Sequence, residues 1–253
     1  MLQALNNNKL GISISEGYFK PSEDSLTSSV FGCLLHLPDA LFWTIVRNGC
    51  YCPSTIPSSL GIIENTTFWE KMSAEGTYNE VYVEPDVHIE TSLYHIIIEA
   101  KKSDNANETS QYSQQWINEV KALRNDYSDS KAIIVLAIGG NASLESEEIY
   151  VDNETVHVFK SSWFSLLNSV ETSLDSGQYA SNEQRILSDT VMAFESHHFI
   201  RTTWLIDLKP VGISHDSAKA FKTDNYKSKD NFMFSLSSRG ISMSNIGKVW
   251  KIQ

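Results

Sequence analysis

Cysteine is scarce in this chain of 253 residues. The three present, Cys33, Cys50 and Cys52, are odd in number and form no C-x-x-C pair. That argues against a disulfide framework and a structural zinc site, and Cys50 and Cys52, the one close pair, read as structural. Long apolar runs are missing too. None approaches the roughly 20 residues that span a bilayer, and Met1 to Gly11 is polar, without the apolar core of a signal peptide. The expectation is a cytoplasmic protein with no membrane association. The four Asn-x-Ser/Thr sequons, at Asn65, Asn107, Asn141 and Asn153, then reflect only an Asn- and Ser-rich composition. Internal repeats and low-complexity tracts are absent. No phosphate-loop pattern surrounds Gly139-Gly140, which reads as a strand terminator. Positive charge is in deficit: 20 Lys+Arg face 31 Asp+Glu, a net −11, which counts against a nucleic-acid footprint spread over the whole molecule.

What is present is ordinary for a globular protein, 41% hydrophobic and 20% charged. The length allows one large domain, or one domain with a small appendage. Charge is unevenly placed. Residues 199–253 carry nine Lys/Arg and four Asp/Glu, a balance of +5; residues 1–198 hold eleven and 27, a balance of −16. Such asymmetry marks either a polyanion-binding tail on an acidic body or plain surface variation. The tail also interleaves lysines with Trp204, Phe221, Tyr226, Phe232, Phe234 and Trp250, aromatics suited to base stacking or to core packing.

Pro21-Ser22-Glu23-Asp24 predicts a helix start, with Ser22 as cap and two acids in the first turn. Leu26, Val30, Leu34, Leu37, Leu41 and Ile45 keep helical spacing, and Pro38 kinks or splits the helix. Residues 47–80 read as loop with one short strand. A hairpin follows: Glu80 to Glu90 alternates around Pro85, Thr91-Ser92 turns, and Tyr94 to Ala100 is an apolar buried strand. Further elements are a helix over 108–123, a buried strand over 131–138, a short strand over 155–159, and helices over 161–174 and 182–197. Helices alternating with strands predict an α/β fold around a mixed β-sheet flanked by helices, with an α+β extension at the C-terminus.

The hairpin places charge where an apolar sheet does not want it. Glu99 and Lys101, two apart, share one strand face, and Asp86 comes near Glu99 when the turn falls near Ser92. Two carboxylates converging at a strand end suit Mg²⁺ or Mn²⁺, which prefer oxygen ligands. A neighbouring lysine positions a water or offsets charge building on a phosphate. Glu84 lies on the same strand face as Asp86 and is either a further acid of the site or solvated. Lys102 points away from Lys101 and reads as surface. His88 and His95 read as packed or solvated strand histidines, and His197-His198 as helix-end cations.

Glu84-Pro-Asp86, a gap of twelve residues, then Glu99-Ala-Lys101 resembles the PD-(D/E)XK nuclease superfamily, the restriction-endonuclease-like fold. Glu23 in the first turn of the N-terminal helix and Gln111 on the helix after the hairpin, with Trp116 five residues on, are similar to that pattern as well; Gln115, one turn beyond Gln111, competes for the same role. The resemblance covers roughly residues 15 to 175 and implies a nuclease-like core over 1–180 with a basic extension over 181–253 packed on it. It also implies a Mg²⁺- or Mn²⁺-dependent hydrolase of DNA phosphodiester bonds, in a bacterial anti-phage or mobile-element setting. Asp86, Glu99, the Ala100 carbonyl and Glu23 then serve the metal, Lys101 orients water, and Gln111 supports the site; a homodimer suits cutting of both strands. Two rivals stand beside it. One is a nuclease-fold subunit that acts mainly by binding an ATPase or a DNA-recognition protein. The other is an α/β protein in which the Asp/Glu/Lys trio is a solvated ion-pair cluster.

Overall fold

The computed structural model describes residues 2–7, 9 and 20–200; residues 201–253, which hold the interleaved aromatics and most of the expected extension, lie outside the described residues. A short helix α1 (Leu2–Asn6) precedes α2 (Glu23–Leu34) and α3 (Asp39–Gly49). Ser22 caps α2 as its sequence predicts: its Oγ accepts from the Ser25 N–H at 3.1 Å, and Ser25 Oγ accepts from the Ser22 N–H at 2.9 Å. Pro38 splits the helical series rather than kinking it and sits just before α3, where its missing N–H leaves no helical bond unmade.

Residues 47–80 hold more structure than the loop with one short strand expected. They contain a 3-10 turn (Pro53–Thr55), β1 (Ile63–Phe68) and β2 (Met72–Ser73). The sequence Ile-Glu-Asn-Thr-Thr-Phe of β1 has little apolar patterning because it is an edge strand, paired only with its neighbour. The first hairpin arm is shorter than Glu80 to Glu90. β3 (Tyr82–Val83) pairs with β2 in a separate two-stranded sheet, and β4 (Val87–Thr91) begins only after Pro85, which cannot join a ladder. The chain continues through β5 (Tyr94–Ala100), α4 (Ser113–Asp126), β6 (Ala132–Ile138), β7 (Glu147–Val151), β8 (Glu154–Ser161), α5 (Trp163–Ser176) and α6 (Ser181–Ser196). The strand β7 was not expected from its acidic start. It forms a hairpin with β8 through Asp152 and Asn153, both at positive φ, as a tight two-residue turn requires.

The architecture is α/β, a mixed six-stranded sheet flanked by helices. Strand order is β1-β4-β5-β6-β8-β7. The β5–β6 and β6–β8 pairs are parallel, and the outer pairs are antiparallel. Alternation along the central strands divides the core into two layers. Ile96, Ile98, Ala100, Ile134, Leu136 and Ile138 face α2, α3, α5 and α6. Ile97, Ile133, Val135 and Ala137 face Trp116, Val120 and Leu123 of α4, together with Met72 and Val83 of the small sheet. Strands buried on both faces read as continuous apolar runs, which is why β5 and β6 are plain in the sequence. Helix α6 packs on α2 and α5.

Candidate functional site

The β4–β5 register pairs Val87 with Ile98 and His88 with Ile97. One step further it sets Asp86 opposite Glu99, where the strands leave the ladder at Pro85. Both side chains are buried. Asp86 Oδ1 accepts from Trp69 Nε1 at 3.1 Å, and Oδ2 accepts from the Ala100 main-chain N–H at 2.8 Å. Lys101 pairs with Glu99 Oε1 on the same strand face. Its main chain is held on both sides: its N–H donates to Ile138 O at 2.8 Å, and its carbonyl accepts from Trp163 Nε1 at 2.7 Å. Gly139 and Gly140, both at positive φ, permit this approach. A Cβ on Gly139 would stand 2.6 Å from Lys101 O, and one on Gly140 would stand 2.7 Å from Thr109 O.

Glu23 and Gln111 come to the same strand end from opposite sides. Glu23 Oε2 accepts from the Lys102 N–H at 2.7 Å. Gln111 lies in the loop just before α4 rather than on the helix, because the helix begins at Ser113 and not at 108. Its Nε2 donates to Glu99 O at 3.0 Å and reaches Gly139 O and Ile138 O at 3.3 and 3.4 Å; its Oε1 accepts from Trp116 Nε1 at 3.0 Å. One amide therefore joins the ends of β5 and β6 to α4.

Sequence reasoning missed Glu119. It lies on the buried face of α4, between Trp116 and Leu123, and is 1% exposed. Its carboxyl is within hydrogen-bond reach of Glu99 and of the Gln115 side chain, while its Oε2 has no hydrogen-bond donor. The signal was available: an acid within an apolar helical stripe, three residues after Trp116 and one before Val120.

Electrostatics follow from this crowding. Burial pushes the Asp86 carboxyl well above the usual carboxylate range, and the charge of Glu99 adds to the shift; the Ala100 N–H and Lys101 oppose it. Glu119 is displaced the same way, by burial first and then by Glu99 and Asp86. Burial also raises Glu23, against the pull of Lys101. For Lys101, burial acts to lower the pKa, but Glu99, Glu23 and Asp86 outweigh it, so the ammonium is held charged above its ordinary value.

Other candidates are placed elsewhere. Glu84 is paired with Lys9, whose ammonium also lies 5.6 Å from the Trp69 ring centroid. Lys102 is exposed. His88 and His95 lie at the far end of the same sheet face, packed under Tyr127, with His88 Nε2 and His95 Nδ1 3.0 Å apart. There Glu90, His95 and Asp129 each bring a ligand atom within 4.8 Å of the others. The Lys131 ammonium already neutralises Glu90 at 2.8 Å and lies 3.8 Å from Asp129, where a cation would have to displace it. His197 is not an exposed helix-end cation. It is buried, its Nε2 lies 2.8 Å from Ser25 Oγ, and burial pushes its pKa down. The three cysteines are free, and burial pushes the Cys50 thiol up to about 12.

No family model matches the chain, and no curated protein sequence matches it. Among the described residues no helix is long and apolar enough to cross a membrane.

Proposed function

We propose that this chain is a Mg²⁺- or Mn²⁺-dependent nuclease of the PD-(D/E)XK kind, hydrolysing phosphodiester bonds in DNA on a restriction-endonuclease-like core. Bacterial anti-phage defence or a mobile element is the setting that the resemblance suggests. The observation that carries the reading is a crowding of carboxyl groups at one strand end: Asp86, Glu99 and Glu119 are buried and Glu23 is half-buried, and Asp86, Glu99 and Glu23 share the Lys101 ammonium. Buried carboxylates in such excess demand a neutralising partner. The donor set fits a hard cation, since it offers carboxylate oxygens and neither thiol nor imidazole. The orphaned Glu119 Oε2 points the same way.

Asp86, Glu99, Glu23 and the Ala100 carbonyl would hold the ion. When bound, it supplies Lewis-acid polarisation of the phosphate and a more acidic water. Lys101, kept charged by its carboxylate neighbours, orients the attacking water and offsets charge developing on the phosphate. Its main chain, held by Ile138 O and Trp163 Nε1, limits its movement during that work. Gln111 keeps the ends of β5 and β6 at a set separation, so that Glu99 and Lys101 stay in register.

The test is cleavage of linear, circular and single-stranded DNA by the purified protein with Mg²⁺ or Mn²⁺. Asp86→Ala and Lys101→Ala are each expected to slow cleavage by about 100-fold or more. Equal cleavage by wild type and both variants would sink the assignment. A second reading rests on the −16 balance of residues 1–198, which disfavours an independent hold on DNA. In it the chain is a nuclease-fold subunit that acts with an ATPase or a DNA-recognition protein. It predicts weak cleavage by the isolated chain and co-purification with that partner; a fully active monomer argues against it.

A further inference from the structure

We infer that Glu119 is a metal-ligating residue, completing with Asp86 and Glu99 a three-carboxylate cation site reached through a cleft between α4 and the β2–β3 sheet. The inference rests on the reading of Asp86 and Glu99 as metal-binding and extends it to a helix that the sequence pattern did not include.

Three observations carry it. Glu119 is 1% exposed, and its Oε2 has no donor, an arrangement that is costly for a carboxylate unless something else neutralises it. Its carboxyl lies within hydrogen-bond reach of the Glu99 carboxyl and interacts with Asp86. Two carboxylates come that close only with a proton or a cation between them. Finally, Glu119 is not sealed in the core. It lines a cleft of about 380 Å³ together with Asn79, Tyr82, Glu84, Gln115 and Asn118. Asn118 Nδ2 donates to Asn79 Oδ1 at 3.2 Å, tying α4 to the loop that precedes β3. The cleft opens onto Glu119 between α4 and the β2–β3 sheet, so an ion would meet this carboxyl first. Gln115, on the same face of α4, steadies the Glu119 carboxyl, just as Gln111 steadies the strand end.

A carboxyl retained only as a buried, proton-sharing group has a neutral isostere in glutamine, and this separates the alternatives. Mn²⁺ binding to the full-length protein is measured by calorimetric titration at neutral pH, with thermal unfolding of each variant alone as the folding check. Wild type is expected to bind Mn²⁺, and Asp86→Asn and Glu119→Gln each to weaken binding by about 10-fold or more. Glu145→Gln removes one charge from an exposed position between β6 and β7, outside the cleft, and is expected to leave affinity unchanged. Glu119→Asp keeps the charge but shortens its reach; an intermediate affinity is expected, and this variant keeps the question open to measurement if Glu119→Gln folds poorly. Wild-type affinity in Glu119→Gln and Glu119→Asp, with loss in Asp86→Asn, overturns the role of Glu119 while leaving the metal site intact. Absence of Mn²⁺ binding by the wild type overturns both readings.

Discussion

At the scale of single residues, the site depends on how closely backbones approach one another. Gly140 has φ +61°, and a Cβ there would lie 2.7 Å from Thr109 O and 3.0 Å from Lys101 Cβ and Cγ. Alanine would meet both an unfavourable backbone conformation and neighbours that cannot yield cheaply, since one is a main-chain carbonyl. Gly140→Ala is expected to cost about 2–3 kcal/mol, read as a lower urea midpoint at unchanged slope. The same residues show how unevenly individual roles were legible. The two-residue spacing of Glu99 and Lys101 states a shared face outright. Glu84 shares Asp86's parity and stood as a further acid of the site or a solvated one, and Lys9, far away in sequence, pairs with it. Parity assigns a face but does not name the partner found there.

At the scale of elements, β4, β5 and α4 enclose two polar clusters on one sheet face, with the carboxylate site at one end and the histidine pair at the other. The second is a hydrogen-bonded chain: Glu70 Oε2 to His88 Nδ1 at 3.3 Å, His88 Nε2 to His95 Nδ1 at 3.0 Å, and His95 Nε2 to Asp129 Oδ2 at 3.0 Å. Tyr127, at the end of α4, meets the His88 ring edge-on and donates to Glu70; Glu90 and Lys131 flank the cluster. Burial pushes the His88 pKa below its ordinary 6.5, with Glu70 only partly opposing. The unfolded chain therefore takes up a proton first. The stability that neutral His88 contributes is complete above 6.5 and is lost as pH falls toward its folded value. The buried carboxyls of Asp86 and Glu119 act in the opposite sense, losing stability as pH rises through their raised values. The contribution of His88 is thus isolated as a difference. The stability gap between wild type and His88→Gln, from urea midpoints, is expected to shrink between pH 7.5 and pH 5.5. A gap that widens with acid would contradict a buried neutral His88. Among the strands, β5 and β6 announced themselves by apolar runs. β1 and β7 did not, because edge strands need only one partner and tolerate polar residues.

At the scale of the whole molecule, the proposed activity sets an acidic body against a basic tail. A nuclease must hold phosphates, and the +5 balance of residues 199–253 is where the sequence offers the charge to do so. On the proposed reading, replacing Lys219, Lys222, Lys227 and Lys229 with glutamine is expected to weaken duplex binding and flatten its salt dependence. The slope should fall by about 0.9 for each phosphate that the variant no longer neutralises, with Mn²⁺ affinity unchanged. Unaltered DNA binding would remove the tail from the reading and favour a recognition partner. The sequence by itself determined what is periodic or local: the Ser22 cap, the buried β5 and β6, the α/β class, the shared face of Glu99 and Lys101, and a hairpin reach that brings Asp86 opposite Glu99. Helix capping, apolar periodicity, strand parity and turn position govern these, and each acts between residues near in sequence. Only the tertiary structure decided that Gln111 joins two strand ends from a loop, that Glu84 pairs with Lys9, and that Glu119 lies against Glu99. Those contacts depend on where α4 and the N-terminal residues rest on the sheet. Helical periodicity marks the face of α4 that is buried, but the packing of the helix against β5 selects the carboxylate that this face meets.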